Sequence, residues 1–167
     1  YYLCVMINIK VNCLHWGIIP YKEAWDLQEE LLAENLAIKK ANREIELQQI
    51  DKEPLLTKSY FILCEHPPVF TLGKSGAIEN LLVNNNYLQE KGISFFKTNR
   101  GGDITFHGPE QIVGYPILDL ERWKPDLVWY MRSLEEIIIR TIAEYGIIGT
   151  RSDGETGVWL DVDHPAK

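Results

Sequence analysis

The segment from Arg100 to Gln111 concentrates residues that could do chemistry. It runs Arg-Gly-Gly-Asp-Ile-Thr-Phe-His-Gly-Pro-Glu-Gln, so a guanidinium, an imidazole and three glycines surround a short apolar core. Arg100 offers a planar fork of N–H donors, and His107 is a donor or acceptor near pH 7. Gly101 and Gly102 let the backbone approach a ligand closely. Exposed N–H groups at these glycines could hold a carbonyl oxygen or an oxyanion.

A simpler interpretation of this loop stays open. Gly-Gly before a strand and Gly-Pro after one are common in turns that bind nothing. The spacing Gly-x-Gly-x-x-Gly is absent, and so is the Lys-Ser/Thr pair of a phosphate-binding loop. The motif therefore gives no support for a nucleotide site.

The thiols and imidazoles do not suggest a metal centre. The three cysteines, Cys4, Cys13 and Cys64, are widely spaced, and no Cys-x-x-Cys is present. No two of the four histidines stand at metal-ligand spacing, which argues against a zinc site. An odd number of cysteines without a signal peptide is typical of reduced cytosolic thiols, so we expect a cytoplasmic protein. Cys64 lies in an apolar run, where a buried thiol behaves as an inert hydrophobe.

Length and charge narrow the class of protein. The chain has 167 residues, of which 46% are apolar and 25% charged, as in an ordinary soluble domain. Its formal net charge of −7 argues against a nucleic-acid binder, which normally shows a basic face. No long uncharged apolar run is present, so we expect no membrane span.

The elements that must position the loop can be predicted from hydrophobic periodicity and turn residues. Apolar and β-branched runs predict strands over residues 7–13, 60–64, 69–72, 93–97, 104–106 and 112–120. Helical spacing predicts helices over residues 21–48 and 84–91, and a third that opens at Pro125-Asp126 and ends at Gly146. Because these elements do not alternate strictly as βαβ units, we predict an α+β fold with a mixed, largely antiparallel sheet and flanking helices.

The end of the chain predicts a single catalytic domain over residues 1–167 that is incomplete at its C-terminus. Residues 157–162 have the pattern of a strand, and a turn follows at 163–165. A strand without a returning partner would leave an open sheet edge, which folded proteins usually avoid.

Three ordered segments carry a resemblance to a known family. The Arg100–Gln111 segment, followed by Tyr-Pro-Ile-Leu-Asp-Leu at 115–120, strongly resembles the lipoyl(octanoyl) transferase family, the octanoyl-[acyl-carrier-protein]:protein N-octanoyltransferases. Residues 65–73, Glu-His-Pro-Pro-Val-Phe-Thr-Leu-Gly, look like its strand–turn–strand segment. Thr156-Gly157-Val158-Trp159, followed by Lys167, looks like its lysine-bearing hairpin. The resemblance runs from about residue 7 to the end.

The resemblance implies a fold, a site and a reaction. It implies the catalytic fold of biotin and lipoate ligases and a Cys–Lys pair, in which the cysteine takes octanoyl as a thioester and the lysine lowers its pKa. Lys167 matches that lysine. No cofactor is implied, because a thioester substrate is already activated. The implied substrate-binding residues, against which the acyl chain lies, are Arg100, Gly101, Gly102, Asp103, Ile104, Thr105, Phe106 and His107.

The chain departs from the family pattern at two points. The family's cysteine stands in a Pro-Cys-Gly-like motif beyond the lysine, and Cys4, Cys13 and Cys64 do not match it. We therefore expect this chain alone to be inactive. Glu110 stands where the family usually has glycine.

The resemblance also implies partners. These are octanoyl-acyl-carrier protein, and the lipoyl domains of 2-oxoacid dehydrogenases and of the glycine cleavage H protein, with a monomeric enzyme. We expect an apolar acyl slot lined by Leu72 and Val158, with Phe106 nearby. Two alternatives stay open. One is an ATP-dependent lipoate or biotin-type protein ligase, and the other is a truncated, non-catalytic relic that binds acyl groups or carriers.

Overall fold

The computed structural model describes residues 9–161. The chain divides into two compact units, Tyr1–Asp119 and Leu120–Lys167. Within the described residues these units cover positions 9–119 and 120–161. That the whole chain is one catalytic domain stays a prediction.

Two three-stranded sheets build the first unit. In one sheet β2 (Ser59–Glu65) is central, parallel to β1 (Val11–Ile18) and antiparallel to β6 (Val113–Ile117). The other sheet has β3 (Val69–Leu72) between a parallel β4 (Ser94–Lys97) and an antiparallel β5 (Ile104–His107). The α+β class and the mixed sheet are confirmed. The described strands pair in parallel as often as antiparallel, whereas the sequence predicted mainly antiparallel pairing.

Helix α1 (Tyr21–Leu47) is fastened to the segment that leads into β2. The buried Asn35 side chain donates to the Lys58 carbonyl and accepts from the Lys58 N–H, both at 2.8 Å. Two helical turns later, Asn42 makes the same two bonds to Leu55, at 2.7 and 2.8 Å. These amide pairs satisfy backbone groups that no strand partner serves. At the other end of α1, Ala24 packs with Ile19 and Cys64 in the core.

A short helix, α2 (Asn85–Glu90), precedes β4 and is capped by Asn84, whose side-chain oxygen accepts from the Tyr87 N–H at 2.9 Å. Single 3-10 turns cover Ile78–Asn80 and Leu120–Arg122, which the sequence did not predict.

The second unit is built on α3 (Leu127–Ala143), capped by Asp126 through the Trp129 N–H at 2.9 Å. Gly146 follows with φ +75, as expected past a helix end. Thr150 and Trp159 then form an isolated antiparallel bridge, with N–H to O distances of 2.9 and 2.8 Å. The buried Glu135 holds this hairpin by accepting from the Gly157 N–H at 2.9 Å and from Arg151 at 3.1 Å.

Three of the predicted strands differ from the structure. The first was predicted over residues 7–13, but β1 covers Val11–Ile18, and residues 7 and 8 lie outside the described part. The predicted strand over 112–120 ends at Ile117 and continues into a 3-10 turn. Residues 157–161 form only the single bridge at Trp159, and Val162 lies outside the described residues.

Candidate active site

Four aromatic and imidazole rings from four elements meet in the first unit. Tyr21 begins α1, His66 lies in the turn between β2 and β3, His107 ends β5, and Tyr115 lies in β6. Ring centroids are 5.4 Å apart for Tyr21 and His66, 6.1 Å for His66 and His107, and 6.0 Å for His66 and Tyr115. Tyr21 also stacks on His107 at 6.4 Å with the planes 9° apart. Two of the segments that resemble the family, residues 65–73 and 100–120, therefore meet in this cluster.

His66 is the fully buried member of the cluster. Its Nδ1 lies 2.8 Å from the Ile19 carbonyl oxygen, and its Nε2 lies 2.8 Å from the Tyr115 hydroxyl. Because a carbonyl oxygen can only accept, Nδ1 carries the proton of the neutral ring and Nε2 accepts from Tyr115. Burial lowers the pKa of His66, with a further lowering from His107. The ring is therefore neutral near pH 7.

A cavity of about 390 Å³ opens beside the cluster, a size within the range of small-molecule sites. Tyr21 and Tyr115 belong both to the cluster and to the cavity wall. Burial raises the pKa of both phenols, so they are uncharged. The other lining residues are Trp25, Gln28, Glu29, Leu32, Thr98, Asn99, Arg100, Pro116, Ile117 and Leu118.

The Arg100 guanidinium is bound by its own loop. Its Nη2 donates to the Thr71 carbonyl at 2.8 Å, to the Thr71 hydroxyl at 2.8 Å and to the Asp103 carbonyl at 2.9 Å. Its Nη1 donates to the Gly101 carbonyl at 2.8 Å. The planar fork thus ties the Gly-Gly turn to the end of β3. Arg100 acts here as a scaffold of the loop, although it also lines the cavity.

Gly73 allows the turn after β3 to pack directly against the Gly101-Gly102 turn. Its N–H donates to the Asp103 carbonyl at 3.3 Å, and the Lys74 N–H donates to the Arg100 carbonyl at 2.9 Å. Gly102 adopts φ +82, which glycine reaches without strain. The carbonyl groups of the Gly101-Gly102 turn therefore face Gly73 and the guanidinium. Both glycines are exposed, and of the described residues in the loop it is Arg100 that lines the cavity.

The remaining predicted loop residues have distinct surroundings. The Asn80 side-chain amide donates to the Asp103 carboxylate. Ile104 is half-buried and Thr105 exposed. Phe106 packs on Phe70 with ring centroids 4.9 Å apart and is 44% exposed. The Nδ1 of His107 lies 2.6 Å from the Gln111 side-chain oxygen. His107 thus joins the ring cluster, whereas Phe106 packs in its own sheet.

Glu110 has a backbone conformation that glycine adopts readily, at the position where the family usually has glycine. Its φ is +68, in the left-handed region. Its N–H donates to the Glu65 carboxylate at 2.7 Å. The turn therefore keeps a glycine-type backbone with a carboxylate side chain.

The thiol, lysine and acyl-slot candidates are placed as follows. Cys64 is buried in the core, and burial raises the pKa of its thiol. Cys13 is exposed on β1. Cys4 and Lys167 lie outside the described residues. Leu72 is buried next to Gly76, and Val158 is half-buried against Gly149 in the second unit.

Sequence reasoning missed Tyr21 and Gln28 and gave Tyr115 no role. Tyr115 stands in the motif that carried the resemblance, and this position was the one available signal. Tyr21 and Gln28 belong to an ordinary helical face, so their types and spacing carried none.

Two absences hold for residues 9–161. No three His, Cys, Asp or Glu side chains there are grouped so that they could hold a metal ion. No helix in that range has the length and apolar character of a membrane span.

The sequence matches a protein-family model and individual relatives. The family model for the Lipoyl protein ligase A/B catalytic domain matches residues 20–167. An octanoyltransferase from Flavobacterium psychrophilum is 57% identical over 159 residues, which are 95% of this chain and 66% of that protein. The octanoyltransferase of Christiangramia forsetii is 50% identical over 159 residues, or 95% of this chain and 65% of that protein. The chain spans about two thirds of the length of these relatives.

Solved structures support the fold. A bi-partite lipoate protein ligase from Thermoplasma acidophilum superposes with a TM-score of 0.58 at 13% identity, over 93% of this chain and 52% of that chain. P. falciparum LipL1 in complex with lipoate superposes with a TM-score of 0.55 at 13% identity, over 91% of this chain and 41% of that chain. At such identity the likeness concerns the fold, and the expected ligase-type α+β fold is confirmed.

Proposed function

We propose, from the premise that this chain belongs to the lipoyl protein ligase A/B catalytic domain family, that its protein transfers an octanoyl group to a lysine of lipoyl domains. The observation that carries the proposal is the 57% identity, over 95% of the chain, to a protein named octanoyltransferase. The proposed donor is octanoyl-acyl-carrier protein, and the proposed role is in lipoate biosynthesis. The proposed acceptors are the lipoyl domains of 2-oxoacid dehydrogenases and of the glycine cleavage H protein.

The proposed chemistry runs through an acyl-enzyme thioester. A cysteine thiolate attacks the octanoyl carbonyl carbon, and the carrier thiol leaves with a proton. The amine of the acceptor lysine then attacks the new thioester, forms the amide and returns the cysteine as a thiol. Two acyl transfers of this kind need no ATP, because the thioester bond supplies the activation. Lys167 is proposed to lower the pKa of the cysteine.

The cysteine of that reaction is proposed to be none of the three printed in this sequence. Cys64 is buried and its pKa is raised, which opposes the thiolate that the reaction needs. The cluster of Tyr21, His66, His107 and Tyr115 supports a site at the His107 end of the loop, because His66 is fully buried there and Tyr21 and Tyr115 line the cavity.

The cavity is proposed to take the acyl group. Trp25, Leu32, Ile117 and Leu118 give it an apolar wall, and each methylene buried there would contribute about 0.8 kcal/mol. The loop residues at positions 100–107 are proposed to bound the substrate on its reactive side. The enzyme is proposed to act as a monomer in the cytoplasm.

The test uses the protein at its full natural length. Octanoyl-carrier protein and an apo-lipoyl domain are mixed with it, with and without ATP, and octanoylation of the domain is followed by intact mass. Transfer from the carrier without ATP is the expected result. Transfer that requires free octanoate and ATP would identify a ligase and contradict the proposal, and a protein that binds the carrier without transfer would be a non-catalytic binder.

A further inference from the structure

The hydrogen bonds that link Ile19, His66 and Tyr115 beside the cavity have a fixed donor and acceptor order. His66 Nδ1 donates to the Ile19 carbonyl at 2.8 Å, so the lone pair of its neutral ring is on Nε2. The Tyr115 hydroxyl, 2.8 Å from Nε2, must therefore donate its proton to His66. With that proton engaged, the phenol oxygen can only accept further hydrogen bonds. Ile19 is buried and contributes a backbone carbonyl, so the fold itself fixes the direction of these two hydrogen bonds.

The neighbouring Gln28 has the same polarity. Its amide nitrogen donates to the Ala24 carbonyl at 2.9 Å, which fixes the orientation of the amide. Burial raises the pKa of the neighbouring Tyr115 phenol, and an interaction with the Gln28 side chain opposes that rise. With its nitrogen bound to the Ala24 carbonyl, Gln28 offers its amide oxygen as an acceptor. Gln28 and Tyr115 both line the cavity.

Four elements contribute groups that contact His66. Cys64 of β2 has its sulfur 3.8 Å from Nε2, Tyr21 comes from α1, His107 from β5 and Tyr115 from β6. Burial raises the pKa of the Cys64 thiol and of the Tyr21 and Tyr115 phenols, so these three groups are uncharged at neutral pH. Across the cavity, Arg100 has its N–H groups directed at Thr71, Gly101 and Asp103.

We propose that His66 is a positioning residue that accepts a hydrogen bond from the Tyr115 hydroxyl. Because that proton is engaged, the Tyr115 oxygen acts as a hydrogen-bond acceptor in the cavity wall. This acceptor selects a ligand that bears an N–H group. The ligand class is an amide or amine carried on an aliphatic arm. A free carboxylate would place oxygen against oxygen at Tyr115 and is disfavoured there. The identity of the ligand, but not the direction of the bonds, rests on the proposed function. An N–H group then comes either from the amide-bearing arm of the thioester or from the amine of the acceptor lysine.

The first test measures the direction of the bonds without any activity. Nitrogen NMR of ¹⁵N-histidine-labelled protein, at its full natural length, should show His66 as the Nδ1–H tautomer at pH 7. A His66 signal of the Nε2–H tautomer, or of the protonated ring at that pH, would overturn the proposal.

The second test measures selection of the ligand with Tyr115→Phe, which removes the acceptor and keeps the ring. Wild-type protein should bind octanamide more tightly than methyl octanoate, and Tyr115→Phe should lose about three- to tenfold of its octanamide affinity, as expected for one hydrogen bond. Tyr60→Phe is the matched control, since Tyr60 is buried in the adjacent strand β2 and does not line the cavity. Equal loss in both variants, or no loss in Tyr115→Phe, would refute selection by Tyr115.

A pH series separates positioning from a structural role. Below the pKa of His66 the ring gains a proton on Nε2 and donates to Tyr115, whose own proton then turns to the cavity. The preference for octanamide should shrink in acid in the wild type and stay unchanged with pH in Tyr115→Phe. A pH dependence that survives in the variant would contradict the role of His66.

Two kinetic arms identify the source of the N–H group. A raised KM of Tyr115→Phe for S-octanoyl-pantetheine, with an unchanged KM for the lipoyl domain, assigns the thioester arm. The reverse pattern assigns the lysine, and no change in either KM overturns the proposal. If wild-type protein transfers no octanoyl group, the proposed function fails, whereas the tautomer and the octanamide preference still decide this inference.

Discussion

A Cβ atom on Gly73 would lie 2.7 Å from the carbonyl oxygen of Gly101. The turn after β3 and the Gly-Gly turn after β4 are therefore in backbone contact, with no space for a side chain between them. This contact places Arg100 where its guanidinium reaches Thr71. Glycine at position 73, in the segment 65–73, is thus required by its contact with the Gly101-Gly102 turn.

Gly73→Ala should separate the two turns. We expect a loss of about 1–3 kcal/mol in the free energy of unfolding, the usual cost of overpacking, measured by urea denaturation. Gly101→Ala is the control, because a Cβ at Gly101 would meet no atom within 4 Å. Equal destabilisation by the two substitutions would show that the contact is not the cause.

Arg100→Lys should loosen the loop although the charge is kept. An ammonium group cannot reproduce a planar fork that serves Thr71, Gly101 and Asp103 together. We expect a loss of about 1–3 kcal/mol in stability and faster amide exchange of Lys74, whose N–H bonds to the Arg100 carbonyl. Arg43→Lys, on the exposed face of α1, should change neither measurement. Slow Lys74 exchange in Arg100→Lys would argue against the scaffold role.

His66 should make the fold acid-sensitive. Its pKa is lowered in the folded state, so below the ordinary value of about 6.5 the unfolded chain binds a proton that the folded chain refuses. Stability is then complete above that value and decreases as the pH falls toward the folded pKa, by about 1.4 kcal/mol for each unit between the two. Urea unfolding at pH 7.5 and 5.5 measures this loss. Carboxylates with lowered pKa, such as Glu135, act at more acidic pH.

The comparison needs two variants. The loss between pH 7.5 and 5.5 should disappear in His66→Gln and persist in His15→Gln, since His15 is exposed on β1. If His66→Gln keeps the same loss, another group is responsible.

Glu135→Gln should loosen the hairpin of the second unit. The Glu135 carboxylate accepts hydrogen bonds from the Gly157 N–H, Arg132 and Arg151. The bond from Gly157, followed by those from the two arginines, holds the pKa of Glu135 below its usual value. Glutamine keeps the shape but loses an acceptor and the charge. We expect a lower melting temperature and faster amide exchange at Trp159, and Glu144→Gln, on an exposed position, serves as control. Unchanged exchange at Trp159 would contradict the anchoring role.

Cys64→Ala should keep octanoyl transfer in the protein at its full natural length. The thiol is buried beside His66, and its raised pKa opposes thiolate formation. Stability should fall by only about 1 kcal/mol, as for a typical point substitution. Loss of a hydroxylamine-sensitive octanoyl adduct in Cys64→Ala would show that Cys64 is the nucleophile after all.

The sequence predicted the bounds of those elements that end at nearby turn residues or helix stops. Strand β3 was predicted at residues 69–72 and is found there, and the helix predicted over 21–48 ends one residue earlier. The boundaries of β1 were wrong, because its pairing with β2 sets them, through the register Val11 to Ser59. In place of the strand predicted over 157–162, residues 157–161 form one bridge at Trp159, and the bond from Gly157 to the Glu135 carboxylate joins residues too far apart for a local pattern to predict.

That the Arg100–His107 loop binds substrate stays a prediction, and the sequence did not indicate what its side chains contact. The sequence indicated Arg100 as a ligand-binding fork, whereas its donors are engaged by nearby carbonyls. The buried polar network of Ile19, His66 and Tyr115 links residues far apart in the chain, and no local pattern encodes such a contact.

The asparagine pairs on α1 have a consequence for sequence variation. Asn35 and Asn42 recognise the backbone N–H and C=O of Lys58 and Leu55, not their side chains. Such an attachment tolerates almost any residue at positions 55 and 58, with proline excluded because it lacks the N–H. The constraint falls instead on the two asparagines, which stand 23 and 13 residues before their partners. A library randomised at positions 55 and 58 should therefore yield many folded members, and one randomised at positions 35 and 42 should yield few.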